Sequence, residues 1–350
     1  MSDDPLADLW AYHADAAIGD DAPVYRAIAV AVSQDPELLE ITRRTPPDAH
    51  HPNHLFAAVR FLLLGDVEDD LAEAYLAGDQ VQAATLFGRF VRRHADEIVD
   101  VLQERRTQTN EVGRVGVIGP ALRHVAARHP GGIGLLDVGA SGGLNLLVDR
   151  IGCDYGDFQT VSDAPVQVAT QLHRPIEPFG PQDLRLGWRG GLDRSPIDLA
   201  DEASARWLMA CVWPEQRDRV ARLEAAITLA QAQDWSVHKG DAVDALAAAV
   251  AEIPAELHAV VLTSWVVFYF DRKQRAAFDA ELAALGRPIS WVSLEHPGVV
   301  DVPTPAPDHA GVDSSAIGLV TFDDGRADRR FLGWAHPHGR WLDWRGQAET

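Results

Sequence analysis

The stretch Leu135-Leu136-Asp137-Val138-Gly139-Ala140-Ser141-Gly142-Gly143-Leu144-Asn145 constrains the chain most. An apolar run ends in a turn of small residues, and Leu144, Leu146, Leu147 and Val148 then follow with apolar helix spacing. Strand, glycine turn and helix, in that order, open many nucleotide-binding sheets. Glycines let the backbone turn tightly and approach a ligand, and the free N–H groups of the new helix point at it. The expected architecture is therefore an α/β sheet that takes its ligand beyond the carboxyl ends of its strands.

Three chemistries use this shape. A class I S-adenosylmethionine (SAM) methyltransferase has a loop resembling Asp-x-Gly-x-Gly-x-Gly; Asp137, Gly139 and Gly143 fit it, and Ser141 replaces the middle glycine. Gly139 to Gly143 also spells Gly-x-Ser-x-Gly, the nucleophile elbow of a serine hydrolase, with Ser141 as nucleophile. A dinucleotide-binding turn wants Gly-x-Gly-x-x-Gly, and here Ser141 and Leu144 fall on its second and third glycines. A glycine turn that only packs a helix on a strand is the bland alternative. Context has to choose.

Charge narrows the partners. The 350 residues carry 52 acidic against 31 basic side chains, a formal net charge of −21. Nucleic-acid binding depends on neutralising phosphates, so this balance argues against DNA or bulk RNA and favours a small-molecule substrate or a cationic partner. The basic runs Arg89–Arg93 and Arg217–Arg222 lie on helix patterns with interleaved acids and read as solvated faces. Nothing approaches the apolar length of a membrane span, and the acidic start Met1-Ser2-Asp3-Asp4 is no secretion signal, so the expected location is cytoplasmic. Cys153 and Cys211 read as ordinary small side chains. His50, His51 and His54 have no acid or cysteine at ligand spacing and read as a helix-entry loop; no metal site is expected.

Residues 1–130 read as an all-helical region, a cap or partner surface. Helical patterns cover Val24–Val32, Pro36–Ile41, Leu55–Leu64 with Asn53 as cap, Val67–Leu76, Val81–Leu102 and Val112–Arg128. Within it, Thr107, Gln108, Thr109, Asn110, Glu111 and Arg114 form a dense run of amide, hydroxyl and charged groups. They read equally as caps for the helix at Val112 and as a ligand-facing, site-closing helix start. After Pro130-Gly131-Gly132 the texture changes to alternating strands and helices, and residues 131–350 read as one α/β domain. It comprises the first strand, an irregular insert Gly152–Pro181, the segment Leu184–Asp193, a helix over Glu202–Ala232 broken near Pro214, and the strand Trp235–His238. The helix Val243–Ala251, the very apolar strand Ala259–Val267, the helix Arg272–Leu285 and the strand Pro288–Leu294 follow. A proline-rich loop, Asp301–Ala310, leads to a hairpin of Ile317–Phe322 and Arg329–Trp334 through Asp323-Asp324-Gly325.

The strand ends then read Gly139–Gly143, Asp193, Asp241, Thr263-Ser264-Trp265 and Glu295-His296. Acids follow the second and third strands, where a methyltransferase needs one for the ribose hydroxyls and one beside the adenine. A hydrolase needs strands ahead of its elbow, and helices stand there instead, although Asp271 and His296 have the right order for a triad. The expected fold is therefore a seven-stranded, doubly wound, Rossmann-like methyltransferase sheet with a C-terminal antiparallel hairpin.

The whole chain resembles an uncharacterised bacterial family, domain of unknown function 2332, which couples a helical N-terminal half to a methyltransferase-like core. The resemblance is carried by Ala22-Pro23-Val24-Tyr25, Asp35-Pro36-Glu37-Leu38-Leu39, Pro52 to Val59 and, most specifically, Arg106-Thr107-Gln108-Thr109-Asn110-Glu111-Val112-Gly113-Arg114. Gly139-Ala140-Ser141, Gly143 to Leu146, Asp149-Arg150, Arg189-Gly190, Asp193, Pro196, Asp198, Val212-Trp213-Pro214, Trp291 and Glu295 complete it. Gly142 replaces the alanine usual in that family's loop. The resemblance implies the fold and supplies no reaction.

The expected function is SAM-dependent methyl transfer to a small molecule. Asp137, Gly139, Ser141, Gly142, Gly143 and Asn145 would hold the amino-acid end of SAM, Asp193 the ribose and Asp241 the adenine side, with Ser264 at the neighbouring strand end. Glu295 or His296 would serve as a base, with Tyr269 as a further candidate. The rivals are a Ser141 hydrolase and a non-catalytic ligand-binding protein of this fold.

Overall fold

The computed structural model describes residues 4–18, 22–65, 67–306 and 314–346. The chain forms two compact units, Met1–Thr109 with Ala200–Glu224 and Asn110–Leu199 with Ala225–Thr350. The division differs from a cut at residue 130. The helix Val115–Ala126 packs on strands of the second unit, whereas Glu202–Ala210 packs on Pro52–Leu63 in the first.

The first unit is helical among its described residues. Asp35 caps Pro36–Arg43 by accepting from the N–H groups of Glu37 and Leu38, and Pro36 supplies a first position that needs no donor. Asp69 caps Asp70–Ala77, and Gly78 ends that helix at φ 71°. The helix expected over Val81–Leu102 is two helices, Gln80–Arg93 and Ala95–Glu104, because the backbone leaves helical geometry at His94. The expected cap Asn53 is the second residue of the helix. The helix begins at Pro52 behind the His51 cap, and Asn53 Oδ1 instead meets His13 Nε2 at 3.1 Å. The core of this unit is aromatic: Trp10, Tyr25, Phe56, Phe87 and Phe90 are buried, and Tyr25 stacks on Phe56 at 4.1 Å.

The second unit contains β1 (Ile133–Val138), β2 (Gly152–Asp154), β3 (Gln167–Ala169), β4 (Gln171–Leu172), β5 (Leu186–Asp193) and β6 (Val237–Lys239). It continues with β7 (His258–Ser264), β8 (Ile289–Glu295), β9 (Ser315–Asp323), β10 (Arg326–Ala335) and β11 (Trp341–Trp344). The main sheet has nine strands in the order β4-β11-β10-β9-β8-β7-β1-β5-β6, with β2 and β3 pairing separately. From β6 to β8 all neighbours are parallel, so this is an α/β protein with a large, mostly parallel sheet. The hairpin β9–β10 turns at Asp324 and Gly325, both with positive φ, and β9 runs antiparallel to β8. The sequence pattern leads one to expect seven strands. The two extra ones lengthen the hairpin edge, where β11 pairs with β10 and the two-residue β4, drawn from the 152–181 insert, covers β11.

β1, β7 and β8 are buried almost throughout, as a parallel sheet covered on both faces requires. Leu136 and Val138 point into one core with Val261 and Trp291, closed by Leu246 and Val250 of the helix Leu246–Ala251 and by Phe278 and Leu282 of the helix Arg272–Ala283. Val115–Ala126 packs against β8, β2 and β3. The helix expected after the glycine turn is a single 3-10 turn, Leu144–Leu147. Residues 144–148 are all buried, so their apolar run reflects burial on every side and not one face of a helix. The expected loop Asp301–Ala310 passes out of the described residues after 306. No helix among the described residues is long and apolar enough to cross a membrane.

Candidate functional site

β1 lies between β5 and β7. From β1 the chain steps outward to β5 and β6, then returns to the other side of β1 for β7 and β8. The direction of winding therefore reverses between β1 and β7, the place where open α/β sheets leave a crevice beyond their carboxyl ends. Two loops border it, 139–143 after β1 and 265–269 after β7. They touch: a Cβ on Gly139 would overlap Val266 Cγ2, and Gly139 holds φ 76°.

Asp137, near the end of β1, is 1% exposed. Asn145 Nδ2 donates to its Oδ2 at 3.2 Å, while Oδ1 has no hydrogen-bond partner among the described residues. Burial pushes this carboxyl up to about 7; the Asn145 bond and the charge of Arg114 oppose the rise, and the charge of Asp193 adds to it. Ser141 holds φ 53°, unusual outside glycine. Its N–H donates to Asp193 Oδ2 at 2.8 Å, its carbonyl accepts from Ile197 N–H at 3.1 Å, and its buried Oγ has no partner among the described residues. Asp193 Oδ1 accepts from Ser195 N–H at 2.7 Å, so this carboxylate braces the glycine loop against the chain after β5.

Gly143 also holds φ 76° and packs against Trp235 and Val237. Gly142 has no left-handed φ, and its nearest neighbour is the end of the flexible Leu199 side chain. Packing and backbone geometry thus account for Gly139 and Gly143. Asp241 caps the turn after β6 through the N–H groups of Val243 and Asp244 and pairs with Arg194 Nη2 at 2.8 Å. The Val243 N–H, then Arg194, hold its carboxyl below the usual range.

On the other side of the crevice, Arg114 is buried; its Nη1 donates to Ser264 O at 3.1 Å and Oγ at 3.3 Å, and its Nε to Pro337 O at 2.9 Å. Glu111 accepts from Gly113 N–H at 2.9 Å and so caps the 3-10 turn Val112–Arg114. Asn110 Nδ2 donates to Ala140 O at 3.3 Å and reaches the glycine loop directly. Thr107, Gln108 and Thr109 belong to the first unit, where the Thr107 hydroxyl meets His54 Nε2 at 3.4 Å.

Glu295 is not an open base. It is 1% exposed and accepts from the N–H groups of Val266 (3.0 Å), Val267 (3.2 Å) and Phe268 (3.2 Å). Burial raises its carboxyl and these N–H groups pull it back. It is the clamp of the 265–269 turn. His296 is exposed, with Nδ1 2.9 Å from Pro297 O. A carbonyl only accepts, so in the neutral ring this contact is made by an Nδ1–H donor, and Nε2 is then the acceptor nitrogen. Tyr269 is 77% exposed.

The triad reading is not assembled. Ser141 Oγ contacts no base, Asp271 is engaged in a capping box with Gln274, and His296 faces Pro297. Sequence reasoning also missed participants. Phe268 stands beside His296, Arg194 holds Asp241, and the Pro337 carbonyl anchors Arg114. Only the first left a signal, the aromatic density of Trp265 to Phe270 after an apolar strand.

Fold and strand-end geometry together define an α/β protein whose mostly parallel sheet reverses its direction of winding between β1 and β7. Over residues 8–344 the chain matches the family described as "Uncharacterized protein conserved in bacteria (DUF2332)", and it belongs to that family. No curated protein matches it. Among solved structures it is similar to the sugar N-methyltransferase KedS8 from Streptoalloteichus sp. ATCC 53650, with 13% identity, 65% of this chain and 78% of that chain covered, and a TM-score of 0.25.

Proposed function

We propose that the chain is a SAM-dependent methyltransferase acting on a small molecule. The observation that carries this reading is Asp137 Oδ1, a buried carboxyl oxygen with no partner among the described residues, near the carboxyl end of β1 where the winding of the sheet reverses. Leaving such a group unsatisfied costs about 1–3 kcal/mol, and a bound ammonium group would remove that cost. The α-amino group of SAM has this chemistry, and Ser141 Oγ, buried without a partner in the same loop, offers a second contact. Asp193 already accepts two N–H groups, yet a carboxylate has further lone pairs for ribose hydroxyls. Asp241, held ionised by the Val243 N–H and by Arg194, would lie beside the adenine.

When bound, the cofactor supplies an electrophilic methyl group. The chain's own part is alignment and exclusion of water. Asn110 and Arg114 fix the glycine loop and the end of β7, Glu295 holds the 265–269 turn, and His296 Nε2 can take a proton. The test is calorimetric titration of ligand-free protein with SAM and with S-adenosylhomocysteine. Micromolar binding of both, lost in Asp137→Ala, is the expected result. A folded, ligand-free protein that binds neither refutes the reading, and labelling of Ser141 by a fluorophosphonate would install the hydrolase in its place.

A further inference from the structure

The turn after β7 carries four aromatic residues within six positions, Trp265, Phe268, Tyr269 and Phe270. Phe270 turns inward onto Phe278. The others do not follow it. Phe268 is 40% and Tyr269 77% exposed, and they are the exposed large apolar side chains among the described residues of the second unit. Trp265 adopts φ 58°, a conformation that costs a non-glycine residue about 1–3 kcal/mol, and its indole N–H is fixed to Ser315 Oγ at 2.9 Å. The same turn is gripped by Glu295 through three successive backbone N–H groups. A strained, firmly held turn that keeps aromatic rings in water at the carboxyl end of the sheet is not explained by packing.

The rings are inclined to one another. Trp265 and Phe268 lie 5.3 Å apart at 53°, Phe268 and His296 5.7 Å apart at 44°, and Trp265 and His296 6.3 Å apart at 83°. Such a wall presents both edges and faces, the geometry in which a further aromatic ring packs best. The local charge selects against a cation. Arg275 binds the carbonyls of Val267 and Phe268, and Arg272 and Lys273 begin the next helix; of the two acids at the turn, Asp271 is engaged in its capping box and Glu295 is buried with its oxygens taken up by three N–H groups. A ring that becomes negative as it reacts suits that field. His296 Nε2, with its lone pair free, can accept its proton.

We infer that the 265–269 turn and His296 form the acceptor seat, and that the acceptor is a compound with an aromatic hydroxyl group. The ring packs against Trp265, Phe268 and Tyr269. Its O–H bond breaks toward His296 Nε2, the electron pair stays on oxygen, and the imidazole becomes imidazolium. The methyl-transfer part of this assignment rests on the function proposed above; binding of the ring does not.

The experiment titrates the full chain, without SAM, with phenol, with anisole and with cyclohexanol, following the His296 imidazole and tryptophan side-chain signals by NMR. Phenol is expected to bind at least about threefold more tightly than cyclohexanol, and Phe268→Leu or Tyr269→Leu to weaken phenol by about three- to tenfold while leaving cyclohexanol unchanged. Phenol should also be preferred over anisole, a preference absent in His296→Leu, which has no acceptor. Equal binding of phenol and cyclohexanol, no binding of phenol, or no effect of the variants overturns the seat. SAM binding is measured on the same samples: SAM bound without a phenol seat leaves the cofactor reading standing, and a phenol seat without SAM leaves the seat and removes the reaction.

Discussion

Replacing Asp137 by asparagine isolates the effect of burying this carboxyl in the sheet. The native carboxyl titrates at about 7, against 3.8 for an unperturbed one, because the group is buried with only Asn145 donating to it. Between those pH values the unfolded chain is ionised while the folded chain holds a proton. Unfolding then releases that proton, so stability falls as pH rises from about 4 to about 7, by roughly 1.4 kcal/mol per unit, and is flat above. The whole effect is about 4 kcal/mol, of which about 3 kcal/mol falls between pH 5 and pH 8. The asparagine side chain cannot ionise. Its unpaired amide costs about 1–3 kcal/mol, but at every pH, so it displaces the stability curve without tilting it. Urea titrations of both proteins at pH 5 and pH 8, with the β1 amides followed by hydrogen exchange, measure the tilt. The wild type should lose about 3 kcal/mol more than Asp137→Asn over that interval. Parallel pH dependence of the two proteins would refute a buried, nearly neutral Asp137.

An ammonium group on Asp137 would favour its ionised form, so SAM affinity should rise with pH by up to about tenfold per unit below about 7 and level off above; a pH-independent affinity contradicts the contact. Gly139→Ala meets Val266 and a left-handed φ and should cost about 1–3 kcal/mol and abolish SAM binding, whereas Gly142→Ala should melt within a few degrees of wild type. Glu295→Gln keeps one oxygen for the Val266 and Val267 N–H groups but turns an amide NH2 against the Phe268 N–H, and should destabilise by about 1–3 kcal/mol, with the Phe268 amide exchanging faster. His258 stacks on His129 at 3.5 Å, and burial holds it neutral down to about 4, while an unfolded histidine takes its proton at 6.5. Its contribution is therefore complete above 6.5 and is lost as pH falls toward 4, and His258→Gln should show a smaller loss of urea resistance from pH 7 to pH 5.

Much of the fold follows from local pattern. The apolar run into Gly139, the hairpin at Asp324-Gly325 and the aspartate–proline start at Asp35 each express a steric or hydrogen-bonding rule within a few residues, and each appears where the pattern puts it. The acids after β5 and β6 are legible for the same reason. Where local pattern misleads, burial has imitated periodicity: Leu144 to Val148 is apolar because every side is covered, and only one 3-10 turn forms.

The site itself was decided by the tertiary structure. Ser141 meets Asp193 across 52 positions, Glu295 grips Val266 across 29, and Arg114 holds Ser264 across 150. Composition and spacing supply the donors and acceptors, and a chain can name its acids, its glycines and its aromatic run from sequence alone. Which acid is consumed as a brace, which is left buried with an empty oxygen, and which rings remain in water depend on desolvation and on partners that only folding brings within about 3 Å.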